Sequence, residues 1–300
     1  MSYRIFVINP GSTSTKLAYF EDEKKLYEAN VFHDAPELAK FKTASDQLDF
    51  RKQMILGFLD DNGIDLHGVD AIVGRGGSTA PINSGVYAIN DKLLEDTRNK
   101  VTGVDHPANL GAPLAHELAA EYGGIALIVD GPKADQFIDE ARITGIDGLY
   151  RGSSLHVLNL RGMAQLHCKR HGMRYEDSSL IVCHIDGGMS ISAHYHGRMV
   201  DGTNNALGEG PFTPTRTGAL PVQQAVEYFS RAENVKVGDA CTRSGGFVSH
   251  FGTSNSDKVH EMVESGDPKA VRVWTAMLYN ICKSIGEMAV VLSGKVDAII

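Results

Sequence analysis

A loop of small residues near the start of the chain has the composition of a phosphate-binding hairpin. Residues 9–16 read Asn-Pro-Gly-Ser-Thr-Ser-Thr-Lys and lie between two apolar runs. Backbone N–H groups and hydroxyls can approach phosphate oxygens closely in such a loop, because its side chains are small. The candidate donors are Gly11, Ser12, Thr13, Ser14 and Lys16. A polar hairpin without a ligand remains the alternative when this loop is taken alone.

The same strand–loop–strand pattern occurs a second time in the chain. Residues 179–185 are apolar, residues 186–189 read Asp-Gly-Gly-Met, and residues 190–195 resume a strand pattern. The two loops read Ile-Asn-Pro-Gly and Ile-Asp-Gly-Gly, so they align residue by residue. Two such loops, one in each half, point to an internally duplicated architecture.

Two charged residues stand at the ends of predicted buried strands. Arg75 follows an apolar run and lies among glycines, where a guanidinium fork can bind a carboxylate or phosphate through two hydrogen bonds. Asp130 ends the run 127–129, a common position for a catalytic or metal-orienting acid in an open α/β sheet. A solvated loop arginine and a helix-capping aspartate are the alternatives.

Three further residues are candidates for contacts with a transferring phosphoryl group. The Gly- and Pro-rich segment 204–218 presents Arg216 on a stiff loop. His156 follows the small-residue segment 152–154, and His184 directly precedes the second loop. Either histidine is equally compatible with a hydrogen-bonded position in the core.

Two familiar nucleotide-binding classes lack support in this sequence. The chain contains neither G-x-x-x-x-G-K-[ST] nor G-x-G-x-x-G. The sequence therefore lacks the principal motifs of P-loop nucleotide hydrolases and of Rossmann dehydrogenases, which argues against both classes.

The predicted elements alternate between strands and helices, which places the chain in the α/β class. Further strands are predicted over residues 4–8, 16–20, 70–73, 126–129 and 296–300, and helices over 46–59, 112–122 and 268–293. In the last helix the apolar residues follow a helical spacing, and we expect them to form one core-facing stripe. They are Val271, Trp274, Leu278, Ile281, Ile285 and Leu292.

Composition limits the possible partners and the cellular setting. The 300 residues are 42% hydrophobic and carry a net charge of −8, which is typical of a globular protein and unfavourable for binding nucleic acid or anionic lipid. The four cysteines contain no C-x-x-C pair, and neither a signal peptide nor a membrane-spanning segment is apparent. We expect a cytoplasmic protein of two domains.

Taken together, these motifs resemble the acetate kinase family, and within it the butyrate kinases. The resemblance runs through essentially all 300 residues and is carried by residues 8–16, 74–77, 204–207 and 210–214. It implies two ribonuclease-H-like domains of the actin-like ATPase superfamily, with the active site in a cleft between them. We expect the first domain at residues 1–150, with the first phosphate loop and the substrate arginine, and the second at residues 151–300, with the second phosphate loop.

The resemblance also implies a reaction and a set of residue roles. The reaction is reversible in-line transfer of a phosphoryl group from ATP to a short-chain carboxylate, butyrate or a branched relative, giving an acyl phosphate and ADP with Mg²⁺. By this resemblance, Asp130 matches the catalytic aspartate and is a candidate Mg²⁺ ligand. Arg216 matches the transition-state arginine and Arg75 the substrate arginine. His156 matches a histidine of the family. The phosphate ligands implied are Asn9, Gly11, Ser12, Ser14, Lys16, His184, Asp186, Gly187 and Gly188. A homodimer or higher oligomer is expected.

This sequence departs from the family pattern at several positions. Asp186 replaces a glycine or asparagine, and Gly152 stands where acetate kinases carry a catalytic histidine. The family's adenosine motif is expected just after Ile300, so we expect a chain that is truncated before it. Two alternatives stay open: a non-catalytic nucleotide-binding or scaffold relative, and a kinase of the same superfamily that phosphorylates a hydroxyl group.

Overall fold

The computed structural model describes residues 2–77, 79–232 and 235–300. The chain divides into two compact units, Met1–Ala134 and Asp135–Ile300. The division falls earlier in the chain than the boundary predicted near residue 150.

The first unit contains a six-stranded mixed sheet with the order β3-β2-β1-β4-β6-β5. Strands β1, β2 and β3 form an antiparallel meander, β1, β4 and β6 run parallel, and β5 pairs antiparallel with β6. The strands are β1 Arg4–Pro10, β2 Ser14–Glu21, β3 Lys24–Phe32, β4 Ala71–Arg75, β5 Val86–Ala88 and β6 Ile125–Val129.

Helices cover the core side of this sheet. They are α1 Ala35–Leu38, α2 Leu48–Asp61, α3 Asp91–Arg98 and α4 Gly111–Tyr122, with 3-10 turns at Ser45–Gln47 and Pro107–Leu110. Alternate residues of β1 point into the core because successive side chains of a strand lie on opposite faces. Phe6 and Ile8 of β1 therefore join Ile55 of α2 and Leu114 of α4 in one buried cluster.

The start of α4 contacts the end of β4 through backbone atoms. A Cβ atom on Gly74 would lie 2.1 Å from the carbonyl oxygen of Gly111, and one on Gly111 would lie 2.2 Å from that of Arg75. Real Cβ atoms never approach so closely, so both positions require glycine. This contact supports the backbone from which Arg75 projects.

The second unit repeats the strand pattern of the first. Its four-stranded sheet has the order β10-β7-β8-β9, in which β7, β8 and β9 form an antiparallel meander and β10 lies parallel to β7. The strands are β7 Ser179–Ile185, β8 Met189–Tyr195, β9 Arg198–Gly202 and β10 Ala298–Ile299. In each sheet a meander is followed by a parallel strand beside the first strand, which is consistent with the internal duplication predicted from the aligned loops.

In the described parts of this unit, seven helices accompany the second sheet. They are α5 Asp139–Arg142, α6 Val157–Arg170, α7 Val222–Arg231, α8 Val237–Asp239, α9 Gly246–Phe251, α10 Ser256–Glu264 and α11 Pro268–Val291, with 3-10 turns at Tyr175–Asp177 and Asn205–Leu207 and a π-turn at Ala240–Ser244. Ile181 of β7, Ile191 of β8, Phe247 of α9 and Ile281 of α11 share the core of this unit.

The buried stripe of α11 differs from the predicted one. Ile281 and Leu292 are buried as expected, whereas Val271 is 40% exposed and Leu278 is 47% exposed. The small residues Ala270 and Ser284 are fully buried in their place. Small side chains let a helix approach its neighbours closely, so the contact face is set by complementarity as well as by hydrophobicity.

Within the described residues, no helix is long and apolar enough to cross a membrane. All four cysteines are free thiols.

Candidate functional site

Three predicted site residues of the first unit lie at one edge of its sheet. Strands β1, β4 and β6 are parallel neighbours, with Ile8 opposite Gly74 and Arg75 opposite Val129. Their carboxyl ends therefore place Asn9, Arg75 and Asp130 side by side, as expected for ligand-binding residues in an α/β sheet. These three residues and hairpin residues 11–14 are called the first-unit cluster below.

Arg75 brings an uncompensated positive charge to this cluster. Its Nη1 donates to Oδ1 of Asn9 at 3.4 Å, and in the described parts of the chain it has no carboxylate partner. Burial lowers the pKa of the guanidinium from its usual value. An arginine in this state favours an anion as its missing partner.

Asp130 is held in an uncommon backbone conformation directly after β6. Its φ angle is 40°, in the left-handed region, and its side chain is only 9% exposed. Its Oδ1 accepts a hydrogen bond from the Gly85 N–H at 2.8 Å, and its own N–H donates to the Gly85 carbonyl at 3.1 Å. Non-glycine residues at positive φ are uncommon and frequent at functional sites, so the carboxylate is placed at some conformational cost.

The first hairpin loop is tight, and it uses one of its own amides. The Gly11 N–H donates to the Ser14 carbonyl at 2.8 Å, so this predicted donor is engaged within the turn. Ser12 and Thr13 are exposed at the tip. Lys16 is exposed and lies directly opposite Asn9 in the β1–β2 register, so both side chains are on the same face of the hairpin.

Arg51 of α2 belongs to this region and was not predicted from the sequence. It is completely buried, and its guanidinium donates to the carbonyl oxygens of Ser12 and Ser14 at 3.4 and 3.3 Å. A signal for it does exist in the sequence. Arg51 stands four residues before Ile55 and eight before Leu59, so it is an arginine within the apolar stripe of an amphipathic helix.

His106, also missed by sequence reasoning, lies close to the arginines of the first unit. Its Nδ1 accepts a hydrogen bond from the Ala108 N–H at 3.1 Å, at the start of a 3-10 turn. Burial, and then the charges of Arg75 and Arg51, lower the pKa of the ring. The imidazole is therefore neutral at physiological pH and carries its proton on Nε2.

In the second unit, two predicted histidines stack against each other. The rings of His156 and His184 are 3.9 Å apart between centroids and 17° from parallel. Nδ1 of His156 is 2.9 Å from Oγ of Ser190, and Nδ1 of His184 is 3.0 Å from Oδ1 of Asn159. These contacts fix both rings beside the second loop. His156, His184, loop residues 186–188 and Arg216 are called the second-unit cluster below.

The second loop is tied to the segment that carries Arg216. The carbonyl of Gly187 accepts hydrogen bonds from Oγ1 of Thr213 at 2.6 Å and from Oγ1 of Thr215 at 3.0 Å. Asp186 is exposed, and its Oδ1 accepts from the Gly187 N–H at 2.7 Å. The Asp186 carboxylate thus accepts from the Gly187 N–H, which the sequence pattern assigns to a phosphate.

Arg216 packs directly on the second loop. A Cβ atom on Gly188 would lie 2.7 Å from its Cζ, so the guanidinium occupies the space that a larger residue would fill. Burial lowers its pKa, its Nε has no hydrogen-bond partner, and it makes no ion pair with any described residue. Like Arg75, it is a half-buried cation that lacks a compensating anion.

The described residues contain no group of three or more histidine, cysteine, aspartate or glutamate side chains that could hold a metal ion. Magnesium is commonly bound through one or two carboxylates together with water and substrate phosphates. A single buried carboxylate at a strand end, Asp130, fits that donor set.

Comparison with solved structures defines the class of this fold. The acetate kinase of Porphyromonas gingivalis matches with a TM-score of 0.79 at 19% identity, over 99% of this chain and 82% of that one. A propionate kinase of Francisella tularensis matches with a TM-score of 0.75 at 16% identity, over 99% and 82% of the two chains. The acetate kinase of Entamoeba histolytica matches with a TM-score of 0.72 at 16% identity, over 96% and 78%. The fold is therefore that of these kinases, an α/β architecture with mixed sheets.

A comparison with protein-family models adds a sequence match for the second half of the chain. Residues 156–300 match the model of the acetokinase family. This region includes the complete second-unit cluster. The likeness of the preceding residues to the same family rests on the fold.

Proposed function

We propose that this protein is a carboxylate kinase, which transfers a phosphoryl group reversibly from ATP to a short-chain carboxylate to give an acyl phosphate and ADP. The observation that carries the proposal is the state of Arg75 and Arg216. Each is half-buried beside a small-residue hairpin loop, and each lacks a carboxylate partner among the described residues. The acetokinase match over residues 156–300 supports the same reaction.

In the first-unit cluster, we assign Arg75 to the substrate carboxylate. A guanidinium binds a carboxylate through two parallel hydrogen bonds and neutralises the charge that would repel a triphosphate. Asn9, Ser12, Ser14 and Lys16 are assigned to the phosphates of the nucleotide, and Gly11 to the turn that holds the loop. We assign Asp130 to Mg²⁺, which when bound neutralises charge on the transferring phosphate.

In the second-unit cluster, Arg216 is assigned to the charge that develops on the transferring group. The loop residue Gly188 is assigned to nucleotide phosphate, and His156 and His184 are assigned as hydrogen-bonding groups. The Gly187 N–H becomes available to a phosphate only when Asp186 releases it. During transfer, a carboxylate oxygen forms a bond to the γ-phosphorus while the bond from that phosphorus to ADP breaks. A carboxylate acceptor has no proton to lose, so the reaction needs no general base.

The preferred acid is proposed to be butyrate or a branched relative. The motif around Arg75 follows the butyrate kinase pattern, in which the arginine lies between glycines. Two further buried methylenes favour butyrate over acetate by about 1.6 kcal/mol, or about 15-fold.

The experiment is a hydroxylamine trap, which converts an acyl phosphate into a coloured hydroxamate. The purified chain is incubated with ATP, Mg²⁺ and acetate, propionate, butyrate, isobutyrate or valerate. We expect hydroxamate, with the four-carbon acids giving the best yield. Formation of ADP with a sugar but with no acid would favour the hydroxyl kinase, and absence of any turnover would favour the non-catalytic relative.

The variant Arg75→Met tests the assigned substrate arginine. We expect kcat/KM for the acid to fall about a hundredfold, which is typical for loss of one preorganised charge. Arg98→Met, on the exposed end of α3 in the same unit, is the matched control and should behave as wild type. Equal activity in the two variants would remove Arg75 from the site.

A further inference from the structure

We infer that Arg51 is a positioning residue for the first hairpin loop, and that its buried charge is compensated when the loop binds a polyphosphate. The inference deepens the proposed function, on which it rests for the identity of the loop's ligand. It concerns a residue on the core side of the loop, where no substrate contact is possible because Arg51 is completely buried.

The hydrogen bonds of Arg51 go to neutral acceptors. Its Nε donates to Oε1 of Gln47 at 3.0 Å, and its Nη1 donates to Oγ1 of Thr15 at 3.0 Å and to the Ser14 carbonyl at 3.3 Å. Its Nη2 donates to the Ser12 carbonyl at 3.4 Å. Among the described residues it has no carboxylate partner, so a full positive charge is buried with only dipoles around it.

A buried charge without a partner lowers the stability of the fold, so its presence suggests a role other than stabilisation. Burial lowers the pKa of Arg51 to about 10, so the group is still protonated at neutral pH. Two histidines near Arg51 add no negative charge. Burial and then Arg51 itself lower the pKa of His33 to about 4, and the pKa of His106 is lowered as well.

The hydrogen bonds around Thr15 agree with a neutral His33. Oγ1 of Thr15 accepts from Nη1 of Arg51 and lies 2.8 Å from Nε2 of His33. Nδ1 of His33 is buried without a hydrogen-bond partner among the described residues, so a charge on this ring would be uncompensated beside Arg51. Among the residues that the structure describes, the positive charge under the loop thus has no anionic partner.

The position of Arg51 determines on which side of the loop a bound anion would feel its charge. Arg51 binds the Ser12 and Ser14 carbonyls from the core side and so holds the carbonyl dipoles of the loop toward itself. Ser12 and Thr13 at the tip remain exposed to solvent. An anion bound at this tip lies across the loop from Arg51 and interacts favourably with it, because screening by water is weak beneath the loop.

The test measures binding of inorganic tripolyphosphate by calorimetry, which requires no turnover. Arg51→Met and Arg51→Gln remove the charge, and Arg51→Lys retains it. Ile55→Ala is the matched control, since Ile55 lies one turn further along the same helix, is completely buried and carries no charge. All variants are measured at a temperature where each is folded by circular dichroism.

We expect the neutral Arg51 variants to bind tripolyphosphate about tenfold more weakly than wild type. Arg51→Lys should lose less, and Ile55→Ala should bind as wild type despite its lower melting temperature. Wild-type affinity in the neutral variants would overturn the inference, as would an equal loss in Ile55→Ala or a wild type that binds no tripolyphosphate. If tripolyphosphate binding depends on Arg51 but the protein forms no hydroxamate, the inference about Arg51 is supported and the proposed kinase reaction is contradicted.

Discussion

Arg75 and Arg216 are in similar surroundings although they lie in different units. Each is desolvated enough to lower its pKa, and neither has a carboxylate partner in the described parts of the chain. A structural arginine is usually paired when it is this buried, because an unpaired charge destabilises the fold. Unpaired arginines beside small-residue loops are therefore better explained by binding of an anionic ligand.

Gly188→Ala tests the position of Arg216 without changing any charge. The new Cβ would meet the tip of the Arg216 side chain at 2.7 Å, and a flexible side chain can move away at little energetic cost. We expect the free energy of unfolding to change by less than about 1 kcal/mol, while kcat in the hydroxamate assay falls about a hundredfold.

Gly162→Ala is the control for this substitution. Gly162 lies in α6 of the same unit, and a Cβ there would have no atom within 4 Å. Wild-type kcat in both variants would mean that the position of Arg216 against the loop does not matter for turnover.

The contact between β4 and α4 leaves no room for a larger residue. The carbonyl of Gly111 occupies the place of a Gly74 side chain, and backbone atoms cannot move aside as a side chain does. This contact sets the end of β4, from which Arg75 projects toward Asn9.

Gly74→Ala should therefore be strongly destabilising. We expect it to lower the free energy of unfolding by at least about 2 kcal/mol in urea denaturation, because overpacking against the backbone cannot relax locally. Gly57→Ala, at an exposed and uncrowded position within α2, should instead stabilise the protein by about 0.5 to 1 kcal/mol. A neutral Gly74→Ala would show that β4 and α4 can separate.

At the scale of the complete chain, buried neutral histidines in both units predict a loss of stability in acid. Burial, and then Arg51, lower the pKa of His33 to about 4. Burial, and then Arg161, lower that of His194 to about 3. His194 lies between the Tyr175 hydroxyl, 2.7 Å from Nδ1, and Oγ of Ser192, 2.9 Å from Nε2.

The direction of the effect follows from proton uptake. Above pH 6.5 both histidines are neutral in the folded and the unfolded chain, so their contribution to stability is fully present. Below that pH only the unfolded chain takes up protons, and each histidine lowers the free energy of unfolding by about 1.4 kcal/mol per pH unit, down to pH about 4 for His33. Urea denaturation at pH 7.5, 6 and 5 measures this slope.

His33→Gln should reduce that slope, whereas the exposed His116→Gln should leave it unchanged. An identical slope in the wild type and His33→Gln would show that His33 accepts a proton as easily in the folded chain as in the unfolded one.

Most of the sheet could be predicted because its strands are short apolar runs bounded by turn residues. The runs that became β1, β4, β6 and β7 are of this kind, and the aligned loops predicted an internal duplication. Strand β3 was not predicted, since an edge strand with Lys24, Lys25 and Glu28 exposed has no apolar run. The face of α11 was predicted in part, because large apolar residues signal burial and small ones do not.

The candidate site divides in a similar way. Glycine-rich loops and charged residues at strand ends are local features, so Arg75, Asp130 and Arg216 could be selected from the printed sequence, and Asn9 was added by the family resemblance. Arg51 could not be assigned in this manner, since its importance comes from contacts with Ser12 and Ser14, which lie far from it in the chain. Local sequence therefore specified which residues are candidates for the chemistry. Only packing, through the parallel register of β1, β4 and β6 and the burial of α2, determined which of them meet and which charges remain without a partner.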